Sequence, residues 1–211
     1  MRVSKEIYKE KSKETFGRQA ENYEQTYNGK HSIRLYDALL GKVKYFNPQK
    51  LLDVGCGTGT ILSRLAEDND ISLAGIDLTE EMLNVARERL GDRAELRIGD
   101  SERLPWGNNS FDIIICSNSF HHYPEPMKVL SEMLRVLNPK GHLIIGDPTM
   151  PPIIRQICNN SLKYSKQGDY RLYSKLEMDE LLRKCGFKLS CFKKITYNSF
   201  ILDAEVSSQL K

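Results

Sequence analysis

The sequence predicts an α/β domain in which a mostly parallel sheet carries helices on both faces and ends in an antiparallel pair of strands. Three observations carry that prediction. Strand-like and helix-like segments alternate from Leu51 to Asp147, which implies right-handed crossovers and a parallel sheet. The run Leu51-Leu52-Asp53-Val54-Gly55-Cys56-Gly57-Thr58-Gly59-Thr60 leads an apolar strand through three alternating glycines into a helix marked by Ile61, Leu62, Leu65 and Ala66. Residues 187–196 and 198–206 then read as two strands joined too tightly for a crossover.

Each element has its own local reason. Strands are expected at 51–54, 72–76, 94–98, 111–116 and 141–146, and Ile113-Ile114-Ile115-Cys116 is apolar on both faces, as buried parallel strands are. Thr79 is placed to cap a helix whose first turn carries Glu80 and Glu81, favoured by the helix dipole. Met82, Val85, Ala86, Arg89 and Leu90 form its face, and Gly91 stops it. Another helix runs from about Pro126 to Leu137, ahead of Asn138-Pro139. After the breaking run Asp147-Pro148-Thr149-Met150-Pro151-Pro152, residues 153–173 read as a short helical insertion. Ser174 with Glu177 three residues on forms a capping box that opens the last helix, which ends at Gly186.

Composition narrows the class of protein. With 211 residues, 40% hydrophobic and 28% charged, the chain suits one globular domain, 1–211, with a helical cap at 1–45 and a lid at 148–173 facing the substrate. No apolar run approaches the roughly 20 residues that span a bilayer, and Met1-Arg2-Val3-Ser4-Lys5-Glu6 lacks the apolar core of a secretory signal. Five cysteines with no C-x-x-C pair argue against a disulfide framework, a zinc site or an iron–sulfur cluster, and fit a reducing compartment; the cytoplasm is the expected location. Residues 51–150 carry 9 Lys/Arg against 16 Asp/Glu, while each flank carries 11 against 6. The flanking basic residues are interleaved with Glu, which reads first as solvated helix faces and second as a field for an anionic substrate, RNA or a membrane surface.

The glycine loop points to a nucleotide-like small molecule, because bare peptide groups and a helix N-terminus meet there. The dinucleotide fingerprint G-x-G-x-x-G needs glycine at position 60, where Thr60 stands. Instead, Asp53-x-Gly55-x-Gly57-x-Gly59, Gly75-Ile76-Asp77 with Met82-Leu83, Gly99-Asp100 with Leu104-Pro105, and Leu137-Asn138-Pro139-Lys140-Gly141-His142-Leu143 follow in order. This series resembles that of class I S-adenosylmethionine (SAM) methyltransferases, and Phe111-Asp112 and His121-His122 place it near the ubiquinone/menaquinone-biosynthesis-type (methyltransferase type 11) branch. The resemblance spans roughly residues 15–190. It implies a Rossmann-like, seven-stranded, mostly parallel sheet with a reversed C-terminal β-hairpin, and SAM as cofactor.

The same resemblance implies a set of cofactor contacts. Gly55, Cys56 and Gly57 take the amino-acid tail and ribose edge, and Asp53 helps hold the ammonium of the tail. Asp77, 24 residues beyond Asp53, can accept both ribose hydroxyls. Leu78 and Met82 flank one adenine face, Asp100 accepts the exocyclic amine, and the backbone N–H of Ser101 meets a ring nitrogen. Tyr23, within Phe16-Gly17-Arg18-Gln19-Ala20-Glu21-Asn22-Tyr23, resembles an N-terminal helix residue facing the cofactor tail, and Ser117 joins the set from the end of the fourth strand.

On the acceptor side stand Asn118, His121, His122 and Tyr123, at the carboxyl end of that strand, where open α/β sheets bind ligands. His122 is the candidate general base, against a structural role at the pocket rim. No metal site is expected, since adjacent imidazoles diverge and the sequence places no third ligand. The short insertion at 148–173 points to a small or medium acceptor, methylated on oxygen, nitrogen or carbon. Ser117-Asn118-Ser119-Phe120 stands where base-amino methyltransferases have an N-P-P-Y-like tetrapeptide, which weighs against a nucleic-acid acceptor while leaving RNA open. Two other classes compete. A regulatory SAM-binding subunit would be expected to carry a damaged loop or to lack Asp77, and a dinucleotide oxidoreductase conflicts with Thr60 and the hairpin. Oligomeric state is not legible.

Overall fold

The structure is a computed structural model that describes residues 4–67 and 71–207, the side chain of Arg34 aside; Met1 to Val3, part of the opening segment read above for a signal, lie outside the described residues. Seven strands form one sheet: β1 (Lys50–Val54), β2 (Ser72–Asp77), β3 (Ala94–Ile98), β4 (Phe111–Ser117), β5 (Leu137–Pro148), β6 (Phe187–Thr196) and β7 (Ser199–Val206), in the order β3-β2-β1-β4-β5-β7-β6. The pairs from β3 to β5 are parallel, and β7 runs antiparallel to both β5 and β6. The reversed hairpin is therefore inserted so that its second strand lies beside β5. The chain order reverses between β1 and β4, and the carboxyl ends of these two strands open the crevice in which such sheets bind ligands.

Helices cover both faces. On one lie α2 (Tyr27–Phe46), α3 (Thr60–Leu65) and α4 (Glu80–Leu90), where Leu35, Leu39 and Val43 meet Ile113, Ile144 and Ile201. On the other lie α5 (Pro126–Val136) and α7 (Lys175–Lys184), where Val129, Met133, Met178 and Leu182 meet Ile114, Cys116 and Leu202. From Ile113 to Cys116, odd and even residues of β4 thus feed opposite cores, the physical content of its doubly apolar run. α1 (Lys5–Gln19) and the 3₁₀ turn Ala20–Gln25 cross the top of the crevice, and α6 (Pro152–Ser161) follows β5. The N-terminal segment expected as a cap therefore has two roles, since α2 builds core while α1 covers the site.

Several local readings change. β5 begins at Leu137, earlier than expected, because Leu137 pairs with Phe111 and a register shift between Phe111 and Ile113 accommodates the Asn138-Pro139 segment. The insertion is helical only from Pro152 to Tyr164, and the rest is loop held by side chains. Thr79 occupies the cap position without a side-chain cap bond, because its hydroxyl turns to Asp77, whose Oδ1 also accepts from the Thr79 N–H at 2.9 Å. The Ser174–Glu177 capping box forms as read. Asp112 accepts from the N–H groups of Gln49 and Lys50 and from Asn138 Nδ2, tying the start of β1 to β5.

Candidate active site

Two chambers meet above the β1–β4 crevice. The first, about 1030 Å³, contains every residue of the expected cofactor set: Tyr23, Asp53, Gly55, Cys56, Gly57, Asp77, Leu78, Met82, Asp100, Ser101 and Ser117. The second, about 910 Å³, extends under α6 and the 165–172 loop, lined by Met150, Leu162 and Leu172 among others. Phe16, Tyr23, Ser32, Asn118 and His122 belong to both walls.

The glycine loop is shaped by its own backbone. The Gly55 and Cys56 N–H groups donate to the Ile76 carbonyl, which fastens the loop to β2. Gly55 has φ +79°, and a Cβ there would lie 2.1 Å from Ser119 Oγ, so this position excludes any larger residue for packing reasons. Gly57 has φ +53°, but the nearest atom to a Cβ there is Met82 Sδ at 4.0 Å. Its bare face opens into the first chamber, a cradle that a side chain would fill.

Asp53 is buried at 2% exposure, and among the described residues its Oδ1 has no hydrogen-bond partner. Burial, with the charge of Asp77 adding to it, pushes its carboxyl up to about 8. A buried carboxylate with a free oxygen at a chamber wall fits a cationic ligand group such as an ammonium. Asp77 is differently placed. Its Oδ2 accepts from the Gly57 N–H and its Oδ1 from the Thr79 N–H, each at 2.9 Å, so it organises both the loop and the start of α4 while facing the chamber. Asp100 accepts from Lys9 Nζ at 2.7 Å and from the Glu102 N–H at 2.9 Å. Tyr23 shares a hydrogen bond with Ser32 at 3.3 Å, and Asn118 Nδ2 donates to Ser117 Oγ at 3.3 Å.

Other polar contacts around the loop lie outside the expected set. Glu24 Oε1 accepts from Thr58, Thr60 and Arg89, at 2.8–2.9 Å, and locks the 3₁₀ turn onto the glycine loop. Burial opposes its charge, yet those three donors hold its carboxyl down at about 2. Lys9 of α1 also pairs with Glu102 at 2.7 Å. No local motif marks Glu24 or Lys9, because their partners come from distant segments.

His122 sits at the junction of the chambers with its side chain 10% exposed. Its Nδ1 is 3.5 Å from Ser12 Oγ, and its ring packs edge-on to Phe16 at 5.1 Å. Burial and the neighbouring His121 lower its pKa to about 3, so it is a neutral imidazole. For His121, burial disfavours the charged ring, but Asp147 and Asp169 outweigh it and raise the pKa to about 10. The expectation that these adjacent imidazoles diverge is corrected: their ring centroids are 4.0 Å apart, because the 3₁₀ turn Phe120–His122 stacks both toward the 165–170 loop. Nor is a third potential ligand missing, since Asp169 arrives from that loop.

Residues 47–199 match the family described as a methyltransferase domain. The demethylmenaquinone methyltransferase of Thermotoga maritima is 32% identical over 207 residues, 76% of this chain and 90% of that protein. The 27-O-demethylrifamycin SV methyltransferase of Amycolatopsis mediterranei is 35% identical over 126 residues, 57% of this chain and 46% of that one. This chain spans about half the length of most of the curated relatives it matches. In fold it is similar to the 1,6-didemethyltoxoflavin-N1-methyltransferase of Burkholderia thailandensis, solved with 1,6-didemethyltoxoflavin and S-adenosylhomocysteine bound, at TM-score 0.78 and 17% identity over 99% of this chain and 92% of that one. The chain belongs to the methyltransferase-domain family, within the class I SAM-dependent methyltransferases.

Proposed function

We propose that the chain methylates a small or medium-sized acceptor, on oxygen, nitrogen or carbon, with SAM as donor. The observation that carries this reading is the meeting of the two chambers at Asn118 and His122, which gives a methyl group on one side and an acceptor on the other a common wall. SAM, when bound, supplies a methyl group already activated by its sulfonium for in-line displacement. In this reading Asp53 holds the ammonium, the Gly57 backbone meets the tail and ribose edge, and Asp77 turns its remaining lone pairs to the ribose. Leu78 and Met82 flank the adenine, with Asp100 and Ser101 at its edge. Phe16 and Tyr23 keep water from the junction, and alignment of the acceptor is the main catalytic contribution.

His122 is the proposed group on the acceptor side. Asn118 is a second one, because its Oδ1 is buried at the same junction with no hydrogen-bond partner among the described residues. Buried thiols at Cys56 and Cys116 support a reducing compartment, and the cytoplasm is the proposed location. Among the described residues no helix is long and apolar enough to cross a membrane.

The test is a thermal-shift titration with SAM, S-adenosylhomocysteine and NAD, followed by an acceptor screen with labelled methyl groups. A ligand at 100 times its Kd adds about 2.7 kcal/mol to stability. Stabilisation by the two adenosyl compounds alone, then label transfer, is the expected result. Stabilisation by NAD alone overturns the reading. Adenosyl binding with no label transfer across a broad panel would favour a regulatory subunit.

A further inference from the structure

We propose that His121, His122 and Asp169 form a binding site for one divalent transition-metal ion in the wall of the second chamber. Asp169 Oδ1 lies 3.5 Å from His121 Nε2 and 3.8 Å from His122 Nδ1. One ligating atom from each residue falls within 4.8 Å of the other two. An ion bonded at about 2.1 Å to nitrogen and oxygen ligands holds them within about 4.2 Å of one another, so the cluster needs only small side-chain rotations to close on it.

The surroundings prepare the ligands. His121 Nδ1 is 3.0 Å from Asp147 Oδ1, and Asp147 is fully buried at the end of β5. An Nδ1–H donated to that carboxylate leaves the Nε2 lone pair directed at Asp169, the carboxylate–histidine–metal arrangement that fixes tautomer and ring orientation. A bare lone pair facing a carboxylate oxygen is repulsive, so a cation belongs between them. It is either a proton on Nε2 or a metal ion.

The backbone delivers Asp169 independently of any ion. The Tyr170 and Arg171 N–H groups donate to the His121 carbonyl at 2.8 and 3.0 Å, which pins the loop to the histidine turn. Ser165 Oγ donates to Asp169 Oδ2, leaving Oδ1 to face both imidazoles.

Two imidazoles and one carboxylate suit borderline ions such as Fe²⁺, Co²⁺, Ni²⁺ and Zn²⁺ better than Mg²⁺ or Ca²⁺. Three protein ligands leave at least one position open, and all three residues line the second chamber. The open position therefore faces an acceptor. An acceptor with a hydroxyl, alone or beside a carbonyl, would bind there and lose its proton to water more readily. This role rests on the methyltransferase reading; the existence of the metal site does not.

The test uses the full chain stripped with EDTA and titrated with Co²⁺ and Zn²⁺, read by calorimetry and, for Co²⁺, by visible absorption. The expected result is one equivalent bound, with affinity at least tenfold weaker in Asp169→Asn and about 10–100-fold weaker in Asp147→Asn, the usual cost of losing an outer carboxylate. The S-adenosylhomocysteine shift in Tm of each variant, measured in EDTA, shows separately that the fold and cofactor chamber are intact. Absence of binding below millimolar Co²⁺ and Zn²⁺, or affinity unchanged in Asp169→Asn, overturns the site and leaves a protonated His121 bridging Asp147 and Asp169. S-adenosylhomocysteine binding in EDTA together with failure to bind metal would leave the methyltransferase reading standing.

Discussion

At the scale of single residues, the glycine loop contains two positions with the same backbone sign and opposite reasons for it. Alanine at Gly55 must take φ near +79° and displace Ser119, so Gly55→Ala is expected to cost about 2 kcal/mol or more of stability without ligand. Alanine at Gly57 has room toward the first chamber and costs about 1–2 kcal/mol for its left-handed backbone. Its methyl group would occupy ligand space, so S-adenosylhomocysteine affinity should fall at least about tenfold, or 1.4 kcal/mol. Denaturant melts and calorimetry on both variants check this, and equal loss of affinity in the two would sink the distinction. Asp53 gives a pH signature. Its folded pKa is raised from 3.8 to about 8, so its contribution to stability is fully present below about 3.8 and is lost as pH rises to about 8. Asp53→Asn lacks that loss, so its stability relative to the parent should rise across this window. If the ammonium pairs with ionised Asp53, ligand binding at pH 6–7 releases a proton from it. Calorimetry of S-adenosylhomocysteine binding in buffers of different ionisation enthalpy should show that release in the parent and not in Asp53→Asn.

At the scale of elements, features set by residues close in sequence are legible in it. The capping box of α7 depends on residues three apart, and both its bonds form. Removing it in Ser174→Ala should lower stability by about 1 kcal/mol, measurable by chemical denaturation, with S-adenosylhomocysteine affinity unchanged because α7 touches neither chamber. The strand-end residues Asp53, Asp77 and Ser117 were legible for the same reason: a parallel strand delivers its last one or two residues to the crevice whatever the rest of the chain does. Where two segments must meet, the sequence alone was a poor guide. The start of β5 was hidden because its pairing with Phe111 requires a bulge. Thr79 carried the right residue type for a cap, but its hydroxyl, like its N–H, turns to Asp77. Asp147 and Asp169 lie far from the histidines in sequence, and nothing in the pattern showed that both converge on His121.

At the scale of the whole molecule, α1 and the 165–170 loop behave as one cover although no single element joins them. Lys11 Nζ donates to the Ser165 carbonyl at 2.9 Å, Thr15 Oγ1 to that of Lys166 at 2.9 Å, and Ser12 Oγ to that of Gln167 at 3.1 Å. Tyr8 packs edge-on to Tyr170 at 5.2 Å. Gly168, at φ +76°, lets the loop approach so closely that a Cβ there would lie 2.3 Å from the Tyr8 carbonyl. The loop does not line the first chamber, whereas Lys9, Ser12 and Phe16 of α1 do. A ligand that stabilises only α1 should therefore stabilise the loop through this seam, since a ligand shifts an equilibrium by its differential affinity for the covered state. Hydrogen exchange is the measurement. S-adenosylhomocysteine should slow amide exchange across residues 5–25 and across 165–172 together. In Gly168→Ala, where the seam cannot close, protection of residues 5–25 should persist while that of the loop disappears. Loop protection unchanged in that variant, or absent in the parent, would show that the two parts of the cover move independently.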